Sequence, residues 1–186
     1  MELKISLAQL CEMLVRMSDW HNVNNDHDVR VSQISIAIGE KLGLSLDMMM
    51  YLRHAALLHD IGRVGVDDYI MNKSHKLTKA QMGAVKEHPV IGYEIIRGIL
   101  PKEICEGVLY HQECYDGSGY PKGLQGLEIP VIARIIKIAD EWDALRNNRP
   151  YRDAYNFYGA LKIMQIDYRC FDPNIYKIFL EIVKHE

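Results

Sequence analysis

The stretch that most constrains this chain is 52–66, LRHAALLHDIGRVGV, an apolar helical run that ends on the adjacent pair His59-Asp60 and passes into a turn punctuated by Gly62 and Gly65. Neighbouring helical residues point roughly 100° apart, so a His-Asp pair can grip one cation while its carboxylate bridges to a second. Alone, the dipeptide is more often a hydrogen-bonded structural couple than a ligand pair. Its weight comes from the other helices.

A chain of 186 residues is long enough to bury one good core and reads as a single domain over 1–186. Hydrophobic content of 48% and a net charge of −3 describe a water-soluble protein without the basic excess that nucleic-acid binding needs, so DNA is not expected as a partner. Cys11, Cys105, Cys114 and Cys170 are scattered and form no CxxC, which suggests neither a zinc knuckle nor a disulfide framework and points to the reducing cytoplasm. The N-terminus lacks a signal-peptide pattern, and no apolar run approaches the roughly 20 residues needed for membrane insertion.

Helical periodicity runs through nearly the whole chain. Residues 1–22 carry an N-terminal packing helix, with Leu7, Leu10, Leu14 and Met17 on one face. Asn22, Asn24, Asn25 and Asp26 then form a turn, and His27 opens a helix that continues through Val31, Ile34, Ile38 and Leu42 to a terminal Gly43. Ser45 and Asp47 start the helix that ends at His59-Asp60. Thr78 caps a helix delivering His88, Ile91 to Ile99 continue an apolar face, and Ile104, Val108 and Leu109 lie on a helix ending at His111. The stretch 114–130, CYDGSGYPKGLQGLEIP, is too rich in glycine and proline for regular structure. VIARIIKIADEWDAL then places Asp140 inside an apolar helix, NNRPYRD forms a turn, and PNIYKIFLEIVK is a last packing helix. No run alternates as a strand does, so the fold class is all-α.

His27, His59-Asp60, His88, His111 and Asp140 thus stand on five separate helices, each at a helix end or on an apolar face. Imidazoles and carboxylates without cysteine suit iron or manganese, with zinc also accommodated. His21, His54, His75 and His185 read as structural histidines bonded to backbone carbonyls.

The order of these motifs resembles the HD-GYP domain, a branch of the HD metal-dependent phosphohydrolases. The matching segments are HDVRV at 27–31, HDIGRVGV at 59–66, KLTKAQ with EHPVIG up to Gly92, YHQECYDGSGYPKGL at 110–124, ARIIKIADEWDAL at 133–145, RPYR at 149–152 and FDP at 171–173. The resemblance implies an HD-domain helical bundle with an extended GYP-motif loop. It implies a cytoplasmic bacterial signal-transduction enzyme that linearises cyclic di-GMP to pGpG, in some members onward to GMP. It makes His27, His59, Asp60, His88, His111 and Asp140 the metal ligands, with Asp60 bridging. Arg63 stands where the family usually has lysine and joins Asp60 as a catalytic residue; Tyr120, Ala144, Arg149 and Arg152 are the expected substrate contacts.

Two departures bear on the metal count. Members holding three metals carry a glutamate four residues before the first histidine and a double histidine in the GYP motif; here these positions are Val23 and Gln112. Neither ligates well, so two divalent ions are expected. A catalytically weak module that binds nucleotide or partner proteins, and a phosphohydrolase of another nucleotide, are the alternatives. The sequence leaves protein partners and a homo-oligomer open.

Overall fold

Helix boundaries fall where capping chemistry puts them. The computed structural model describes residues 6–19, 26–71, 77–148 and 152–184. Among these it forms α1 (Leu7–Asp19), α2 (His27–Leu42), α3 (Leu46–Leu58), α4 (Asp68–Met71), α5 (Lys79–Lys86), α6 (His88–Ile96), α7 (Lys102–Tyr110), α8 (Val131–Arg146), α9 (Phe157–Ile166) and α10 (Pro173–Val183). The Ser45 side chain accepts from the Met48 amide at the start of α3, and Thr78 and Gln81 form a reciprocal capping box on α5. Gly43 takes the left-handed conformation, φ 70°, that closes α2. No strand occurs among the described residues; Arg152 sits in an isolated bridge.

Three expectations change. The helix capped by Thr78 stops at Lys86, and His88 begins the next helix, because Pro89 suits a helix's first turn but not its interior. Ile99 lies beyond the end of α6 and is 57% exposed, so it does not extend the apolar face. The segment before the last helix contains α9, capped by Asn156. His21, Val23, His75, Arg149 and His185, with the side chain of Met17, lie outside the described residues.

The core forms around α8, which lies against α2, α3, α7, α9 and α10. Trp142 meets the Phe157 and Phe179 rings edge-on at centroid distances of 5.6 and 5.3 Å, joining α9 and α10 to α8. Cys11 on α1 is buried in the same core, with Leu7, Leu10 and Leu14 packed against it. Gly107 lets α7 press on Ile132 of α8 and Ala55 of α3. The turn Ile61–Gly65 lies on α6, and this packing brings the end of α3 to His88.

The expectation of unpaired cysteines is overturned: Cys114 and Cys170, 56 residues apart, form a disulfide between the GYP loop and the segment entering α10. The Tyr115 amide also donates to the Cys170 carbonyl at 2.9 Å. Sequence spacing could not show this, because the two sulfurs are brought together by the packing of α8 and α10.

Two tests follow from these contacts. A Cβ at Gly62 would overlap the His88 carbonyl oxygen and the Gly92 amide; Gly62→Ala should lower Tm by roughly 5–15 °C in a calorimetric scan. Dithiothreitol, or Cys170→Ser, should reduce unfolding free energy by roughly 2–4 kcal/mol in denaturant titrations, since the link closes a long chain segment.

Candidate metal centre

Five segments deliver the six expected ligands to one buried place. His27 is the first residue of α2, His59-Asp60 follows the last turn of α3, His88 opens α6, His111 closes α7 and Asp140 lies on α8. None is more than 8% exposed. The Asp60 carboxylate is the hub. Its Oδ2 lies 3.3 Å from His59 Nε2 and 3.8 Å from His27 Nε2, while its Oδ1 lies 3.4 Å from His88 Nε2. Asp140 Oδ1 sits 3.2 Å from His27 Nε2, on the His27–His59 side. His88 and His111 bring their Nε2 atoms to 3.1 Å. Two donor groups therefore share one carboxylate.

Local helix geometry aims three of the imidazoles. His59, His88 and His111 each place Nδ1 at 2.7–2.8 Å from the carbonyl three residues earlier, on Ala56, Val85 and Val108. A carbonyl only accepts, so Nδ1 carries the proton and Nε2 turns its lone pair inward. His27 begins its helix and has no preceding helical carbonyl. Asp143 Oδ2 takes its Nδ1 instead, at 2.6 Å, and Arg30 fixes that carboxylate through Nε at 2.6 Å and Nη2 at 3.1 Å. A histidine pinned by a carboxylate is a more basic ligand than one held by a carbonyl.

Electrostatics describe a site built for cations. Burial alone would raise the Asp60 carboxyl, but Arg63, His59 and His88 outweigh it and hold it well below the usual carboxylate range. Asp140 is held down in the same way, against burial, by His27 and His59. Burial lowers His59, yet Asp60, Asp28 and Asp140 reverse this and push it up to about 10. His111 falls well below the usual histidine value through burial and its neighbours His59 and His88. Ligation through Nε2 needs a neutral imidazole, so metal binding competes with protonation and strengthens as pH rises.

The residues present fit divalent ions. His27 Nε2, His59 Nε2 and both Asp60 oxygens are buried without a hydrogen-bond partner, an arrangement that is costly unless a cation satisfies it. Arg63 Nη2 approaches Asp60 Oδ2 at 2.7 Å as an ion pair, off-line for a hydrogen bond. His27, Asp28, His59 and Asp60 form one ligand-sized group, and Asp60, His88 and His111 form a second. Within the first, Asp28 lies 3.6 Å from His59 Nδ1, the nitrogen that faces the Ala56 carbonyl. Burial pushes its carboxyl up to about 6.

The expected substrate residues fare differently. Tyr120 is half-buried near Asp60, Asp140 and Arg63, and its ring carries Lys86 Nζ at 4.9 Å, so one face is already covered. Arg152 turns its guanidinium to the carbonyls of Ala144 and Asp153, at 2.5 and 2.8 Å, and closes the end of α8. The Ala144 carbonyl is thereby occupied. Gln112 donates to Asp140 Oδ2 at 3.1 Å. His54 bonds the Met50 carbonyl, as a structural histidine does.

Sequence reading missed the supports. Asp143 carries a signal in its i+3 spacing from Asp140, which puts both acids on one face of α8. Glu113 is buried and accepts the Lys122, Gly123 and Leu124 amides at 2.7–3.1 Å, tying the GYP loop to the end of α7.

Known proteins resemble this chain in sequence and in fold. A family model described as HD domain matches residues 9–175. The chain is 42% identical over 148 residues to the cyclic di-GMP phosphodiesterase response regulator RpfG of Xanthomonas campestris pv. campestris, covering 77% of this chain and 39% of that protein. It is 40% identical over 152 residues to 3'3'-cGAMP-specific phosphodiesterase 3 of Vibrio cholerae, covering 78% of this chain and 33% of that protein. The chain thus spans well under half the length of these relatives. An HDG"Y"P protein from Bdellovibrio bacteriovorus shares the fold, with a TM-score of 0.71 at 20% identity over 94% of this chain and 62% of that one.

The support beneath His27 can be tested directly. Asp143→Ala should weaken metal binding by roughly 10–100-fold, read by competition with a chelating dye, while thermal unfolding of the metal-free protein changes little by comparison.

Proposed function

The chain belongs to the HD-domain family, in its HD-GYP branch, and from that premise we propose a metal-dependent phosphodiesterase that opens cyclic di-GMP to pGpG. The observation that carries this reading is the Asp60 carboxylate, which turns one oxygen to His27 and His59 and the other to His88. Such a carboxylate would serve a pair of divalent cations, which His27, His59 and Asp140 would hold with one of its oxygens and His88 and His111 with the other. When bound, divalent cations polarise the phosphodiester and bring the pKa of a water toward neutrality. Nitrogen and oxygen donors favour iron or manganese and accept zinc.

The chain's own residues prepare that chemistry. Arg63 keeps Asp60 ionised beside the donors. Carbonyl-bound Nδ1 atoms keep His59, His88 and His111 aimed, so no side-chain reorientation is needed during turnover. Glu113 holds the loop that bears Tyr120 at the edge of the centre, where its hydroxyl meets the substrate. Arg152 shapes the end of α8, and Arg149, outside the described residues, is the phosphate contact that the family resemblance implies. Gln112 hydrogen-bonds Asp140, which supports a centre of two ions. No helix among the described residues is long and apolar enough to cross a membrane.

A second reading has its own support: the Vibrio cholerae relative is named for 3'3'-cGAMP, so a mixed cyclic dinucleotide is the competing substrate. Anaerobically purified protein, loaded with manganese or iron and given cyclic di-GMP and 3'3'-cGAMP side by side, separates the two by product analysis. Elemental analysis should find two ions per chain, and Asp60→Ala should lose both metal and turnover. Three ions, or wild-type rates in the Asp60→Ala protein, would falsify the assignment; binding without product would make the chain a nucleotide-responsive adaptor.

A further inference from the structure

We propose that Lys137 is a substrate-binding residue, a cation on the rim of the metal centre that holds an anionic oxygen of a phosphodiester. Neither its position in an apolar helix nor its partners are explained by packing alone. Lys137 lies on α8 between Ile136 and Ile138, both fully buried, and its own side chain is only 12% exposed. An ammonium so enclosed needs close partners. Its nearest protein oxygens stand at the outer limit of useful distance: Gln112 Oε1 at 3.5 Å and Glu141 Oε2 at 3.7 Å. An ammonium has three donors, and neither contact uses one well.

The neighbours place this cation beside the chemistry. Lys137 precedes Asp140 by three residues, so the two share a face of α8. Gln112 links them. Its amide nitrogen donates to Asp140 Oδ2 at 3.1 Å, which turns its amide oxygen toward Lys137 Nζ. The Gln112 backbone carbonyl also accepts the Tyr120 amide at 3.2 Å, so the loop that borders the centre hangs on the same residue. A cation, an amide and the GYP loop therefore meet at the Asp140 edge.

Among the described residues, three other cations near this edge are already engaged, with Lys86 over the Tyr120 ring at 4.9 Å. Arg63 is paired with Asp60 at 2.7 Å, and Arg152 is directed to main-chain carbonyls. A cyclic dinucleotide brings two phosphodiester anions, and an enclosed ammonium with long contacts gains most from a new anionic partner. Glu141, 35% exposed, competes for Lys137 in the absence of substrate.

This inference rests on the phosphodiesterase reading, so its test includes a probe that needs no turnover. Inorganic phosphate is titrated calorimetrically into manganese-loaded wild type, Lys137→Met, Lys137→Arg and Glu141→Gln, and KM and kcat for cyclic di-GMP are measured alongside. Lys137→Met should weaken phosphate affinity and raise KM by about tenfold, with metal content unchanged and kcat little altered. Lys137→Arg should restore most of the affinity, and Glu141→Gln should tighten phosphate binding. Unchanged phosphate affinity in Lys137→Met, or a loss explained by departed metal, overturns the role. If wild type binds phosphate but leaves cyclic di-GMP intact, the substrate reading fails, while the phosphate titrations still decide Lys137.

Discussion

The whole arrangement depends on one carboxylate kept ionised where water cannot reach it. Asp60 is 1% exposed, and an isolated charge at such a place would take up a proton. It stays charged because Arg63 and three imidazole-bearing segments surround it, and each of those segments must be positioned by its own helix. The bundle can thus be understood from the inside out. α2, α3, α6 and α7 each bring one terminus to Asp60, and α8 runs past it to contribute Asp140 from its middle.

This placement explains why so many ligands sit at helix ends. A histidine in the last turn, or just beyond it, finds a backbone carbonyl three residues back that can hold Nδ1, as His59 and His111 do. His88 finds the same partner in Val85, across the junction of α5 and α6. His27 stands at a helix start and cannot. The chain meets that deficit with a carboxylate from α8 and an arginine one turn along α2, so the weakest local solution has the strongest side-chain support.

What was legible in the sequence divides along the range of the interactions. Ser45, Thr78 and Gly43 act within four residues of themselves, and their helix boundaries could be read directly. The six candidate ligands stood out in the sequence because each carries a polar group on an apolar helix, and because the motif order resembles a known family. α9 was missed because it buries only Ala160 and Met164 and leaves Tyr158 and Ile166 exposed, so its apolar stripe is blurred. The Cys114–Cys170 link depends on where distant segments of the chain come to rest. Asp143 shows the sequence only its i+3 spacing from Asp140, and its partner His27 is set by the packing of α2 against α8.

The disulfide gives the far end of the chain a share in the loop that borders the centre. Residue 170 belongs to the entry of α10, yet it is joined covalently to the motif that carries Tyr120. Any excision that stops short of it would spare every candidate ligand and still leave the loop beside the Asp60 cluster without its anchor. The unit that holds the site together is therefore longer than the span 27–140 of its candidate ligands and reaches at least to Cys170.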